Sequence, residues 1–161
     1  MATLSVLKFD TSEGAGARLT KLEALQKQQL ITIQDAAIVT WPQGKTKPKT
    51  QQLHSLTGQG ALMGSFWGLL FGLIFVVPFL GLAGAAMGAL AGKFTDYGID
   101  DNFIRQTRDK VTEGTSALFL LTSGAVVDKV VEAMKGQTFE ILSTNLPQEK
   151  EDELRAAFGA E

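Results

Sequence analysis

Several residue types that support common chemistries are missing or rare in this 161-residue chain. It contains no cysteine, which excludes a disulfide scaffold and any thiolate metal site. It contains one histidine, His54, so a histidine-rich metal site is excluded and a Ser-His-Asp triad would be strained. The formal net charge of −2 gives no reason to expect nucleic-acid binding. With no phosphate loop or paired carboxylates either, we expect no enzyme, no cofactor, no metal and no small-molecule substrate.

Charge is absent from the whole middle of the chain. Residues 50–92 contain no Asp, Glu, Lys or Arg, whereas the chain before them is net positive and the chain after them is net negative. Residues 60–92 are almost entirely apolar, and an apolar run above about 18 residues is typical of a transmembrane helix. The opening residues lack the pattern of a signal peptide, so we expect the protein at the cytoplasmic face of the inner membrane.

A proline, Pro78, divides this apolar block into two arms. Proline removes a backbone donor and clashes with the preceding helical turn, which predicts a break there. As helices, arms 60–77 and 79–92 would extend about 27 Å and about 21 Å at roughly 1.5 Å per residue. A hydrocarbon core is about 30 Å thick, so the first arm is barely long enough to cross it and the second is too short.

Glycines recur every four residues in both arms. Residues four apart share a helix face, and a bare face lets another helix backbone approach closely. The pattern predicts a glycine-zipper hairpin that folds back near Pro78, with an apolar tip that oligomerisation would cover. We favour membrane insertion over a hairpin buried in a soluble assembly because of the uncharged length. The predicted helix-packing positions are Gly60, Gly64, Gly68, Gly72, Gly84, Gly88 and Gly92.

The polar flanks predict two matching β-α-β halves. Together they predict an α+β fold, a ferredoxin-like split β-α-β head with a four-stranded antiparallel sheet and helices on one face. We expect the first half of the head at 1–56, the apolar hairpin at 57–93, and the second half with a C-terminal helix at 94–161. Strands are predicted at 2–9, 30–41, 115–122 and 137–144, and helices at 13–29, 101–111, 125–135 and after Pro147.

Candidate membrane-surface residues lie on both sides of the apolar block. Lys45, Lys47 and Lys49 precede it, and such cations attract anionic headgroups, although a solvated loop explains them equally well. Tyr97 follows the block as a candidate interfacial aromatic, whereas Trp67 is expected to serve in packing.

Other polar residues near the block have simpler explanations. For Asp96, Asp100 and Asp101 we favour helix capping and solvation over a cation site, because no calcium-loop pattern surrounds them. For His54 we favour a half-buried side chain bonded to the backbone over a ligand or a pH sensor.

The stretch from Thr57 to Ile104, with its glycine repeat and the segment YGIDDNFI, resembles an uncharacterised bacterial family. Its members are described as predicted membrane proteins, or as a domain of unknown function, with a central glycine zipper. The likeness extends to the opening strand, the DAAIV strand and the SALFLL strand. It implies membrane association and a stress or envelope role, and it supplies no activity and no catalytic residues.

We therefore predict a membrane-associated, self-assembling structural or interaction protein whose partners are itself and membrane lipid. One alternative is a soluble closed homo-oligomer that buries its hairpins and holds lipid or another apolar cargo. A second alternative is a glycine-zipper pore, which is weakened because neither arm has a polar stripe to line water.

Overall fold

A computed structural model of the protein describes residues 2–53, 64–76, 94–134 and 138–158. Helices pack on an antiparallel five-stranded sheet, which confirms the predicted α+β class. The strands are β1 (Ala2–Phe9), β2 (Asp35–Thr40), β3 (Lys49–Gln52), β4 (Ser116–Ser123) and β5 (Phe139–Leu146). The helices are α1 (Gly14–Lys27), α2 (Gly64–Phe71), α3 (Asp101–Lys110), α4 (Gly124–Ala133) and α5 (Gln148–Phe158), and α2 continues as a π-helical segment, Gly72–Val76.

The second strand begins later than the pattern predicts, at Asp35 instead of residue 30. The intervening residues complete the end of α1. Gln29 takes a left-handed conformation with φ of 60°, and the backbone N–H of Leu30 donates to the carbonyl of Leu25 at 3.0 Å. This is the usual way in which the last carbonyls of a helix are satisfied, so these residues are not available to a strand.

The strands lie in the order β3-β2-β4-β1-β5, with every neighbouring pair antiparallel. The two halves of the chain therefore interleave, because β1 lies between β4 and β5 and β4 lies between β1 and β2. Val6 in the middle of β1, for example, is opposite Phe119 of β4 and Leu142 of β5. Neither half alone contains a complete sheet.

Helices cover both faces of the sheet, whereas the sequence pattern predicted helices on one face only. Along β1, Leu4 and Val6 point to one core and Leu7 and Phe9 to the other, so both faces need a cover. Helices α1 and α4 contribute Leu22 and Val130, among others, to the second of these cores. The first core takes its helical residues from α2, the π-helical segment, α3 and α5.

The described part of the apolar block belongs to this first core. Residues 66, 67, 70, 71 and 73–75 are all buried, and they pack against sheet residues such as Ala37, Val39 and Phe119. Within the ranges that the structure describes, no helix has both the length and the apolar character needed to cross a membrane.

Helix α3 begins at a conventional cap. Asp100 has an extended backbone, and its Oδ1 accepts a hydrogen bond from the backbone N–H of Phe103 at 2.8 Å. Asp101 lies in the first turn, where a negative charge is favourable, and Arg108 and Lys110 lie in the last turn. Capping is therefore the described role of Asp100.

Replacing this cap gives the first prediction. Asp100→Ala should lower the free energy of unfolding by about 1 kcal/mol, because a backbone donor of the first turn loses its acceptor. Asp96→Ala is the matched control, since Asp96 is exposed, and its effect should stay within about 0.5 kcal/mol. Urea unfolding measures both values, and equal losses would contradict the capping role.

Candidate interaction surface

Helix α2 has two sides of opposite character. Phe66, Trp67 and Leu70 are buried against the sheet, whereas Gly64 and Gly68 are exposed. This separation follows from the helical repeat, because glycines four residues apart fall on one side and leave the large side chains on the other. We call the outward side, with Gly64, Gly68 and Gly72, the glycine face.

Aromatic rings attach the inward side of α2 to the sheet. Trp67 stacks on Phe71 with ring centroids 5.7 Å apart, and Phe71 meets Phe119 of β4 edge-on at 4.9 Å. At the other side of the helix, Phe66 packs edge-on against Phe158 of α5 at 5.7 Å. Such pairs contribute about 0.5–1.5 kcal/mol each beyond the burial of their area. The orientation of α2 is thus set by rings from two distant parts of the chain.

A buried carboxyl group adds directional contacts to this packing. Asp35, the first residue of β2, is 0% exposed, and its Oδ2 accepts a hydrogen bond from Trp67 Nε1 at 3.0 Å. Its Oδ1 accepts from the backbone N–H of Ala36 at 2.8 Å and from Gln52 Nε2 at 3.0 Å. Burying a carboxyl group is costly unless its oxygens are hydrogen-bonded. The same contacts hold α2 beside β2 and β3.

The guanidinium of Arg108, on α3, binds the far end of the apolar segment. Its Nε donates to the carbonyl of Ile74 at 3.1 Å, and its Nη2 donates to the carbonyl of Leu73 at 3.2 Å. Both carbonyls belong to the π-helical segment. Helix-terminal carbonyls lack intrahelical donors, so a cationic side chain is a favourable partner for them. The segment is therefore held at Trp67 and again at its end.

The glycine face borders a small open cavity of about 150 Å³. Phe71 and Phe75 contribute to its lining, and Lys47, Pro48 and Thr50 line it from the chain around the start of β3, together with Gly68 and Gly72. Among the described residues, no atom outside the helix lies within 4 Å of a Cβ built on Gly68 or Gly72. The surface is therefore bare where larger side chains would fit.

The structure places only some of the predicted residues at this surface. Lys45, Lys47 and Lys49 are exposed, and Lys47 lies beside the glycine face. Tyr97 instead lies in the core, with 7% of its surface exposed and its ring edge-on to Phe158 at 6.0 Å. Trp67 packs in the core, as expected. Outside the described residues lie Gly60, Gly84, Gly88, Gly92, Pro78 and His54.

Sequence reasoning missed Asp35 and Arg108. A weak signal for Asp35 was available, because it is the last acidic residue before Asp96 and opens the apolar strand DAAIV. A lone carboxylate at the start of such a strand requires donors, although nothing local indicates that Trp67 provides one. For Arg108 there was no signal, since an arginine in the last turn of an amphipathic helix usually faces water.

Comparison with known proteins gives one match. Residues 61–159 match the family described as "Protein of unknown function (DUF1269)". The chain belongs to this family. No curated protein and no solved structure matches the chain.

The part matched to DUF1269 contains α2 and Arg108 but ends its sheet contribution at β4 and β5. These two strands do not pair with each other, because β1 lies between them. Asp35 and β1 both precede the matched residues. In this DUF1269 protein, the chain before the matched part therefore completes the sheet and supplies the acceptor for Trp67.

The bond between Trp67 and Asp35 gives the second prediction. Trp67→Phe should lower the free energy of unfolding by about 1–3 kcal/mol, because a buried carboxyl oxygen loses a donor. Trp41→Phe is a matched control, since the indole of Trp41 donates to the carbonyl of Lys45 at 3.0 Å in an exposed position. Its loss should be about 1 kcal/mol or less. Urea unfolding of both variants measures the difference, and equal losses would contradict this role of Asp35.

Proposed function

We propose that this protein is a membrane-associated, self-assembling interaction protein, and that the glycine face of α2 is its contact surface. The supporting observation is the division of α2 into a packed aromatic side and an exposed glycine side. The proposed role is structural, and the proposed partners are further copies of the chain and membrane lipid.

The argument for self-assembly starts from the cost of glycine in a helix. Each interior glycine is less favourable than alanine by about 0.8–1 kcal/mol. Close approach of a second helix backbone compensates for that cost, and small residues four apart are the usual surface for it. Because the large side chains of α2 already pack on the sheet, the glycine face is the side left for such a partner.

The argument for a lipid surface rests on charge. No Asp or Glu occurs between residues 36 and 95, whereas Lys45, Lys47 and Lys49 lie in this stretch and are exposed. Each lysine near an anionic leaflet contributes about 1 kcal/mol of attraction. Lys47 lines the same cavity as Gly68 and Gly72, so cations and the apolar surface are adjacent. This arrangement favours the cytoplasmic leaflet, where anionic lipid is concentrated.

We also infer a ferredoxin-like head. Without the short edge strand β3, the strand order is β2-β4-β1-β5, with all neighbours antiparallel. Helices α1 and α4 connect the strands of each half, and both contribute to the same core. This is the arrangement expected of two interleaved β-α-β units.

The contact surface gives the third prediction. Gly68→Leu should weaken self-association and yet raise the stability of the chain by about 0.5–1 kcal/mol, because leucine is the better helix former and its side chain enters open space. Gly16→Leu is the matched control, since Gly16 lies on α1 with no described atom near its built Cβ. It should raise stability and leave association unchanged.

Sedimentation equilibrium in one fixed detergent measures association, and urea unfolding measures stability. The opposite signs separate loss of an interface from loss of the fold. If Gly68→Leu and Gly16→Leu associate equally well, the glycine face is not the contact surface.

The lysines give the fourth prediction. Changing Lys47 and Lys49 to Gln together should weaken binding to vesicles of anionic lipid by about tenfold or more at low salt, since about 2 kcal/mol of attraction is removed. Changing Lys21 and Lys27 to Gln is the control, because it alters the net charge equally at exposed positions of α1. Co-sedimentation with anionic and with zwitterionic vesicles measures both. Equal losses in the two double variants would contradict a localised lipid surface.

A further inference from the structure

Strand β5 forms one edge of the sheet, and β1 is its partner along its whole length. The register runs without interruption from Phe139 opposite Phe9 to Leu146 opposite Ala2. In the part of the chain that the structure describes, no further strand lies on its outer side. An edge strand of eight residues presents a row of backbone donors and acceptors that a further strand can use.

The two edges of the sheet differ in how they are protected. The opposite edge, β3, has only four residues, carries Lys49 and follows Pro48, and short length, lysine and proline are the usual devices against strand addition. Strand β5 contains no Pro, Lys or Arg, and its register with β1 has no bulge. The structure thus blocks pairing at one edge and leaves it open at the other.

One face of β5 is also uncovered. Ile141, Ser143 and Asn145 share this face and are exposed, with 39% of the Ile141 surface accessible. Helix α4 lies on the same side of the sheet but packs over β1 and β4. The other face of β5 is in contact with α3 and α5.

The strand has a neutral, self-complementary character. Its one charged residue, Glu140, lies on the covered face and pairs with Lys110 of α3 at 3.2 Å. No charge is therefore present on the open face to select a partner of opposite sign. A two-fold axis perpendicular to the sheet would bring the middle of β5 beside the middle of the same strand in another copy. Each exposed Ile141 would then gain neighbours from the uncharged open face of the partner strand.

We propose that a second copy of this chain pairs with β5, antiparallel, and that the two sheets continue into one another through this edge. Such an isologous contact uses each open edge once and leaves none exposed. The proposal deepens the self-assembly proposed above and rests on it, but it does not involve the glycine face.

The test uses the full chain in one fixed detergent, compared with Ile141→Lys and with Leu30→Lys. Like charges facing each other across an antiparallel pair are destabilising, so Ile141→Lys should raise the dimer dissociation constant about tenfold or more. Leu30→Lys is the control, because Leu30 is 52% exposed and lies between α1 and β2, away from this edge. Sedimentation equilibrium measures both, and urea unfolding checks that each variant is folded.

Hydrogen exchange adds a readout that locates the contact. In the dimer, the β5 amides that do not bond to β1 should exchange more slowly at high protein concentration than at low concentration. Equal exchange at the two concentrations would overturn the proposal, and so would equal association of Ile141→Lys and Leu30→Lys.

The glycine variant separates this proposal from the one above. If Gly68→Leu weakens association and Ile141→Lys does not, the edge contact is wrong and the glycine contact stands. The reverse result supports the edge and overturns the glycine face. A chain that is monomeric at every concentration overturns both, including a case in which β5 becomes protected only when a different protein is added.

Discussion

Burial of the aromatic side of α2 is the constraint on which the rest of the described structure depends. An indole that leaves water needs an acceptor for its N–H, and Trp67 finds one in the carboxyl group of Asp35. That carboxyl group is itself buried and needs donors, which Ala36 and Gln52 supply. The packing of one apolar helix therefore specifies where β2 and β3 lie, and each polar group in the set satisfies another.

The same constraint determines what the molecule presents outward. Once the large side chains of α2 face the sheet, the helical repeat places Gly64 and Gly68 on the opposite side. Arg108 holds the following π-helical segment through two carbonyls, so the orientation is maintained along its length. An apolar sequence that resembles a membrane segment is thus divided between a core contribution and an exposed, nearly featureless face. The proposed contact with a second copy uses the side that the core does not need.

Local pattern was enough to predict the element types and much of the surface. The fourfold glycine spacing identified Gly64, Gly68 and Gly72 as one face, and the lysines before the block were expected to be exposed. The pattern failed for Tyr97, which was expected at a membrane surface but packs against Phe158 of α5. It failed because the neighbour that buries Tyr97 lies in a different part of the sequence. Asp35 was missed for the same reason, since its donor, Trp67, comes from another element.

The amino-acid sequence by itself determined the α+β class, the positions of most strands and helices, and the uncharged block with its glycine repeat. These are local properties, because hydrophobic period and turn residues act within a few neighbours. Only the tertiary structure decided the strand order, the cover of both sheet faces, and the contacts of Asp35 and Arg108. Those depend on which distant surfaces can be buried together with every polar group satisfied, and that choice is made by the whole chain at once.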